Sequence, residues 1–433
     1  MKRVYRRSIT TPYIQTPFSA PSPLRVPHLR DGFIVAKVGI ARKRDRSRQI
    51  YAAHLRRKER AEDESPKRVS VDRSTIPTHL SGSPQPHMRS NTSMLRVPFD
   101  DLAATIEQAL LRLGLAPERA ALSARLTAET DRDGVRTHGI ARLPRFADMV
   151  RNGAVNPLAE PELVTSFGAL ERWSGHRGPG NLAAHTAMSR AIELAKTHGL
   201  GAVALGDTAH WQRGGTYGWQ AADQGLAAMC WTNTLPNLPP WGATSPALGN
   251  NPLILAIPHT TAANSTPIVL DIAMSQFSYG TLASYRERGL QLPAPGGYDE
   301  SGQLTTDPAA IERTQRALPI GFWKGSGLSF ALDVLGAMLS GGSATYQLPL
   351  DPLQETGLSQ VFLAIAPTSV ATLDELTTIA NGAIDFLHSA TPIDPAHPPH
   401  YPGEGTLRTR EESLRLGVAV DEKQWQAILQ LAQ

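Results

Sequence analysis

Between Gly201 and Ala366 short apolar runs alternate with longer stretches of helical periodicity, and few architectures accept that pattern. Gly201–Leu205 (G-A-V-A-L), Leu226–Thr232, Leu253–Pro258, Pro267–Asp271 and Gln360–Ala366 are each five to seven residues long. Runs of that length suit strands buried on both faces and are too short for buried helices. A helical pattern at Asn181–Thr197 precedes the first run, and others fill the intervals at Tyr217–Gln224, Ser275–Gly289 and Gly327–Leu339. The alternation predicts an α/β fold.

Helices also bracket this region. Asp100 and Asp101 precede Leu102–Leu113, and Gly114 follows it, which places carboxylates and a glycine where a helix starts and stops. Pro117–Thr130 reads as a second helix, and His138–Val150 as a third, bent or restarted at Pro144. Glu162–Trp173 reads as a strand or hairpin, and Leu373–His388 and Asp421–Leu431 close the chain as helices. Thr232–Asn251 is a long irregular loop dense in amides and prolines, and such loops inside compact α/β units are usually functional.

The formal charge of +4 averages two unlike pieces. Residues 1–93 hold 20 basic and 7 acidic residues, a net of +13, and the remainder holds 23 and 32, a net of −9. Prolines and serines punctuate Thr10–Pro27, Ala41–Arg60 has no sustained apolar face, and Pro77–Ser93 is again rich in Pro, Ser and His. Such a composition cannot offset the entropy cost of ordering, so a disordered N-terminal extension is expected. Three origins compete for it. It is a basic arm for nucleic acid or anionic lipid, a targeting segment without an apolar h-region, or sequence upstream of a true start at Met94 or Met88. We favour the third.

The remainder can bury a sizeable core, since 41% of the chain is hydrophobic. Its negative charge repels phosphate backbones, so no nucleic-acid partner is expected. No run approaches eighteen apolar residues, so no membrane partner is expected either. The one cysteine, Cys230, lies in the apolar run Leu226–Trp231 and has no intrachain partner, which suits a reducing, cytoplasmic compartment.

The chemistry concentrates in Asp131–Phe146, D-R-D-G-V-R-T-H-G-I-A-R-L-P-R-F. If Thr137 or His138 opens a helix, His138 and Arg142 share one face a turn apart. An imidazole exchanges a proton near neutral pH, and a guanidinium forks onto a carboxylate. The pair suits a 2-oxo or 2-hydroxy acid, with Arg142 on the carboxylate and His138 on the adjacent oxygen. His210, in H-W-Q-R-G-G-T-Y-G after the strand Gly201–Leu205, is a second site candidate, because ligands collect at strand ends in open α/β sheets. A structural hydrogen-bonding role would explain it as well. Arg213 is a further candidate for the carboxylate or for substrate hydroxyls.

No G-x-G-x-x-G follows a strand and no G-x-x-x-x-G-K-[ST] occurs, which disfavours an ordinary dinucleotide domain. Gly321–Gly327, G-F-W-K-G-S-G, is the better phosphate site: Gly325, Ser326 and Gly327 would offer free amides at a helix start, beside Lys324. A tight turn opening the helix accounts for the same glycines. His388, His397 and His400 match no usual ligand spacing, so no metal site is expected.

Several of these segments together resemble the malate/L-lactate dehydrogenase family of the second type. They are D-G-V-R-T-H-G-I-A-R-L-P-R-F, H-W-Q-R-G-G-T-Y-G-W-Q-A-A-D-Q-G, W-T-N-T-L-P-N-L-P-P-W-G, L-G-N-N-P-L, V-L-D-I-A-M-S and W-K-G-S-G-L. The resemblance covers essentially all of Met94–Gln433 and none of the extension. It implies a non-Rossmann mixed β-sheet layered with helices, with a helical part built from both ends of the catalytic region (about 94–160 and 370–433) and a cofactor-binding part (about 161–369). It implies a homodimer that reduces a small-molecule 2-oxo acid with NADH, or alternatively NADPH. The acids of this family include malate, L-lactate, sulfolactate, ureidoglycolate and cyclic imino acids. His138 matches the proton donor, Arg142 the carboxylate anchor, and Thr137 and His210 line the site. Cofactor contacts map onto Pro267, Ile268, Val269, Leu270, Asp271, Ile272 and Ala273, onto Trp323 and Lys324, and onto Gly403, Glu404 and Gly405. Two places depart from the family pattern: the polar insertion Thr260–Thr266 and Tyr401 before Pro402 in H-Y-P-G-E-G.

Overall fold

The computed structural model describes residues 94–259 and 265–433. The expected extension 1–93, with every reading attached to it, and residues 260–264 of the polar insertion lie outside the described residues.

Strand β1 (Met94–Val97) leads into α1 (Phe99–Arg112) and α2 (Pro117–Arg132). The first helix buries Leu102, Ile106, Ala109 and Leu110, a stripe of the period that packs one helical face. Two 3₁₀ turns, Arg136–His138 and Ile140–Arg142, then precede α3 (Leu143–Arg151). Next come the hairpin β2 (Glu162–Phe167) and β3 (Leu170–Ser174), α4 (Gly180–His198), β4 (Leu200–Thr208), α5 (Gly215–Ala222) and β5 (Ala227–Thr232). The loop after β5 has structure of its own, the short antiparallel pair β6 (Pro236–Leu238) and β7 (Leu248–Gly249). It is followed by β8 (Leu253–Ile257), β9 (Ile268–Ile272), α6 (Tyr279–Glu287), the small hairpin β10 (Gly297–Tyr298) and β11 (Leu304–Thr305), and α7 (Pro308–Thr314). The chain finishes with α8 (Trp323–Ser340), β12 (Leu358–Ile365), α9 (Leu373–His388), α10 (Glu404–Leu416), β13 (Val418–Asp421) and α11 (Glu422–Ala432).

Seven strands form one sheet in the order β2-β3-β4-β12-β5-β8-β9. Only the β3–β4 pair is parallel; every other neighbouring pair is antiparallel. A doubly wound nucleotide fold needs a mostly parallel sheet, so this is a mixed, non-Rossmann sheet. Its central strands read as continuous apolar runs because both faces are covered. Val203, Leu205, Cys230, Ile254 and Phe362 pack on one side with the alanine-rich α4 and with Trp211 and Tyr217. Ala204, Trp231, Leu253 and Val361 point the other way and pack with Leu332 of α8 and Leu282 of α6.

A separate helical core draws on both ends of the described chain. Leu102, Ile106 and Leu110 of α1 and Ala120, Ala124 and Ala128 of α2 close over Val418, Val420 and Ile428. Met94–Val97 pairs antiparallel with Val418–Asp421. Among the described residues no helix is long and apolar enough to cross a membrane.

Candidate active site

A cavity of about 800 Å³ opens between the helical core and the sheet. Its size falls in the range of small-molecule and cofactor sites. Thr137, His138 and Arg142 reach it from the helical side, and His210 and Arg213 from the end of β4.

His138 and Arg142 do not lie on one continuous helix, as the spacing predicts. The two 3₁₀ turns that carry them are broken at Gly139 (φ −92°, ψ −129°). The physical cause is Asp131, near the end of α2. Its Oδ2 accepts the Ile140 N–H at 2.7 Å, and a Cβ on residue 139 would overlap its carboxylate. Pro144 then opens α3, where its missing N–H costs nothing. The break still leaves both side chains facing the cavity. Gly280, in the first turn of α6, packs on Thr137 from the opposite wall.

The two imidazoles are stacked, with ring centroids 6.0 Å apart and planes 24° from parallel. Gln212 N–H donates to His210 Nδ1 at 3.0 Å, so the proton of the neutral ring sits on Nε2. His138 Nδ1 lies 2.9 Å from Thr137 Oγ1. Enclosure, then the charges of Arg142 and Arg213, push His138 down to about 4. Enclosure, Arg142, His138 and Arg145 hold His210 well below the usual histidine range. Both rings are therefore neutral at neutral pH.

The Arg142 side chain makes no hydrogen bond or ion pair with any described residue, although burial opposes its charge. Glu355 is the nearby opposite charge but makes no direct ion pair with it, so the guanidinium fork is left open for an anion. Arg145, one turn on, is committed elsewhere: it bonds the Pro352 carbonyl and meets Glu355 Oε2 at 2.8 Å. Sequence reasoning missed Glu355, which lines the same end of the cavity.

Arg213 is also committed. Its guanidinium meets Asp133 at 2.7 Å, and Arg410 and Arg132 reach the same carboxylate. Burial alone would raise Asp133; the bonds from Arg410 and the charges of Arg213, Arg410 and Arg132 outweigh it and hold the group well below the usual carboxylate range. Arg410 also lies over the Trp219 ring, 4.4 Å from its centroid. This buried cluster ties α2, the loop after β4 and α10 together behind the cavity wall. Arg213 is thereby a wall residue and not a free clamp.

The expected cofactor segments divide in two. Val269, Leu270, Asp271 and Ala273 on and after the edge strand β9 line the cavity, together with Gly403. Val269 N–H donates to the Pro402 carbonyl at 2.8 Å, so alternate backbone groups of β9 point away from β8 and toward the cavity side. Gly403 adopts φ +99°, and a Cβ there would crowd Val269 N and the Pro267 carbonyl. Pro267, Ile268 and Ile272 complete this strand segment. The fit to a nicotinamide nucleotide rests on this wall: Val269, Leu270, Asp271 and Ala273 line the cavity, and Gly403, whose lack of a Cβ lets it sit so close to the strand, lines it beside them.

Glu404 and Gly405 begin α10 just behind it. The Glu404 carboxylate bonds Tyr401 N–H and His388, both at 3.1 Å. Trp323 and Lys324 are not part of the cavity lining; Trp323 is 69% exposed at the start of α8. The free amides expected at Gly325–Gly327 are largely taken, since Gly325 N–H donates to the Ile320 carbonyl and Ser326 N–H to the Phe322 carbonyl. That segment is a helix-opening turn. His388 pairs with Glu404 and His397 with Asp394, and the three late histidines form no cluster.

Residues 97–429 match the sequence model of the malate/L-lactate dehydrogenase family. The chain is 43% identical over 337 residues to the 2,3-diketo-L-gulonate reductase of Klebsiella pneumoniae, covering 77% of this chain and 99% of that one. Among solved structures, the malate dehydrogenase of Pyrococcus horikoshii superposes with a TM-score of 0.70 at 28% identity, over 78% of this chain and 95% of that one. The delta1-piperideine-2-carboxylate reductase of Pseudomonas syringae does so with a TM-score of 0.69 at 27% identity, over 78% and 99%. A mixed sheet without a nucleotide fingerprint, a family match across nearly the whole described chain and the similarity to these three dehydrogenases and reductases lead to one assignment: the chain belongs to the malate/L-lactate dehydrogenase family, as an oxidoreductase acting on the CH–OH group of a 2-hydroxy acid with a nicotinamide cofactor.

Proposed function

We propose that this enzyme reduces a 2-oxo sugar acid with NADH or NADPH, most specifically 2,3-diketo-L-gulonate to 3-dehydro-L-gulonate. The unpaired guanidinium of Arg142, held beside two neutral imidazoles at one end of the cavity, carries the reading. The name and 43% identity of the Klebsiella pneumoniae relative support the specific acid.

Arg142 binds the substrate carboxylate through two parallel hydrogen bonds. His210 Nε2–H donates to the substrate oxygen, and Thr137 orients His138 through Nδ1. Substrate binding neutralises Arg142 and lets His138 take up a proton; as the imidazolium it then delivers that proton to the C2 oxygen and returns to neutral imidazole, a role worth about two to four orders of magnitude in rate. The nicotinamide, held along β9 and Gly403, supplies the hydride. Placing Trp323, Lys324, Glu404 and Gly405 at that cofactor rests on the family resemblance.

The active form is proposed as a homodimer in a reducing, cytoplasmic compartment, and residues 94–433 as its catalytic unit. The dimer is supported by an apolar stripe along α8, where Trp323, Phe330, Val334 and Met338 are exposed on one face. The compartment is supported by the single cysteine, Cys230, which has no intrachain disulfide partner.

Oxidation of NADH and NADPH against a panel of 2-oxo acids including 2,3-diketo-L-gulonate tests the reading, and no turnover with any of them overturns it. Arg142→Lys keeps the charge and loses the fork. It should lower kcat/KM for 2-oxo acids about ten- to a hundredfold, the cost of a charge-assisted hydrogen bond. NADH affinity should stay within about twofold. A loss that is equal for a matched ketone lacking the carboxylate would make Arg142 structural.

A further inference from the structure

Five charged side chains line the cavity: Arg142, Arg145, Arg213, Asp271 and Glu355. Arg213 answers to Asp133 behind the wall, and Asp271 accepts the Gly215 N–H at 2.8 Å on the cofactor side. The substrate end is left with Arg142, Arg145 and Glu355, beside His138 and His210, which are neutral at neutral pH.

Glu355 is an unusual wall residue. It is 5% exposed and arrives on the loop after the 3₁₀ turn Pro352–Gln354. Arg145 fixes that loop through the Pro352 carbonyl, and Asn152 fixes it through the Leu353 carbonyl. The Glu355 Oε2 takes Arg145 at 2.8 Å; burial pushes the carboxyl above the usual range, and the charges of Arg142 and Arg145 oppose that push and favour its ionised form. Its Oε1 has no hydrogen-bond partner among the described residues. Glu355 also borders a small side cavity of about 30 Å³, the size of one water, shared with Arg142 and His210.

In the free enzyme two guanidiniums and one carboxylate leave a single positive charge at this end, and the proton that His138 takes up on binding is passed to the substrate. We propose that Glu355 sets the charge the site accepts at one carboxylate, admitting 2-oxo acids with an uncharged, hydroxyl-bearing tail and turning away dicarboxylates. The inference rests on the 2-oxo acid reading and deepens it. The α-carboxylate takes Arg142. A tail hydroxyl can donate to Glu355 Oε1. A second carboxylate in the same place would face a fixed carboxylate in a cleft of low dielectric, where like charges are strongly unfavourable. Selectivity of this kind comes from repulsion built against the wrong ligand as much as from contacts made to the right one.

The test uses two substrates of equal length, 2-oxobutyrate and oxaloacetate, which differ in a methyl end against a carboxylate end. The full-length wild type should favour 2-oxobutyrate at least tenfold in kcat/KM, and Glu355→Gln should shrink that preference at least tenfold. Glu355→Asp, which retains the charge, should retain the preference. A Gln variant that loses both activities in equal proportion makes Glu355 only a prop for Arg145 and overturns the proposal. So does a wild type that takes oxaloacetate as readily as 2-oxobutyrate. Calorimetric binding of butyrate and succinate to the wild type decides independently of variant folding: butyrate should bind at least tenfold more tightly, and equal affinity overturns the proposal. A wild type that reduces neither of these, nor any other 2-oxo acid of a panel that includes 2,3-diketo-L-gulonate, overturns the functional reading, and the calorimetric comparison still decides the role of Glu355.

Discussion

His138 has a depressed pKa for a reason that a bound substrate removes. Enclosure and two guanidinium charges hold it down to about 4, and one of those charges, Arg142, is the group that meets the substrate carboxylate. Once that charge is neutralised the ring binds a proton more readily, so complex formation takes up a proton from solution. The sign follows directly. Affinity for a 2-oxo acid should weaken as pH rises above about 4, by up to tenfold per unit, and level off once pH passes the raised pKa of the complex. His138→Asn should flatten this dependence and lower kcat by about two to four orders of magnitude while leaving NADH affinity near wild type. Calorimetry in buffers of different ionisation enthalpy measures the proton directly, and binding without proton uptake would dismiss the acid role. His138, Arg142 and His210 were legible in the sequence because they are residue types with few uses in a mostly apolar, weakly charged body. Glu355 was not. It reaches Arg145 across 210 residues of chain, and nothing in P-L-Q-E-T-G marks the glutamate as buried.

Elements with an apolar stripe were readable, and elements shaped by one tertiary contact were not. The stripes of α1 and α4 and the buried runs of β4, β5 and β12 follow from periodicity alone. The helix expected at His138–Val150 fails at Gly139 because Asp131 occupies the space a regular turn would need, and no local pattern announces that contact. Helix α10 escaped because its sequence is mostly polar and buries only Ser413. It is held instead by Arg410 on Asp133. Asp131 gives a test at this scale. Burial, opposed by the Ile140 N–H bond and by Arg136, raises its carboxyl from 3.8 to about 7. The folded chain therefore holds this proton more tightly than the unfolded one. The resulting stability is complete below the unfolded pKa near 3.8 and disappears as pH rises through about 7. At most this amounts to about 4 kcal/mol, at 1.36 kcal/mol per unit. Asp131→Asn keeps an acceptor for Ile140 and cannot titrate. Urea midpoints should show the wild type losing stability relative to the Asn variant between pH 4 and pH 8, and a constant gap would mean that Asp131 is not a raised acid. Asp131→Ala leaves the Ile140 N–H orphaned and should cost about 1–3 kcal/mol at any pH.

At the scale of the molecule, the α/β class and the charge break at residue 93 were legible from composition, whereas the strand order was not. Strand β12 inserts between β4 and β5 from more than a hundred residues away, and pairing of that kind leaves no trace in hydrophobic pattern. The exposed face of α8 supplies the remaining test. Met338 is 77% exposed and Phe330 59%, a costly display unless something covers them. Phe330→Asp with Met338→Asp should convert a sedimenting species of two copies to one. A wild type that already sediments as a single copy would remove the dimer. The pairing of Met94–Val97 with Val418–Asp421 has a consequence during synthesis. The partner of the first strand is made some 320 residues later, and a ribosome adds roughly 5–20 residues per second. For about a quarter of a minute to a minute the apolar stripes of α1 and α2 are outside the ribosome without the C-terminal segments that cover them. His138 follows the second of those helices, and the sheet itself waits for β12, so both the sheet and the wall that carries His138 are completed only from the last quarter of the chain.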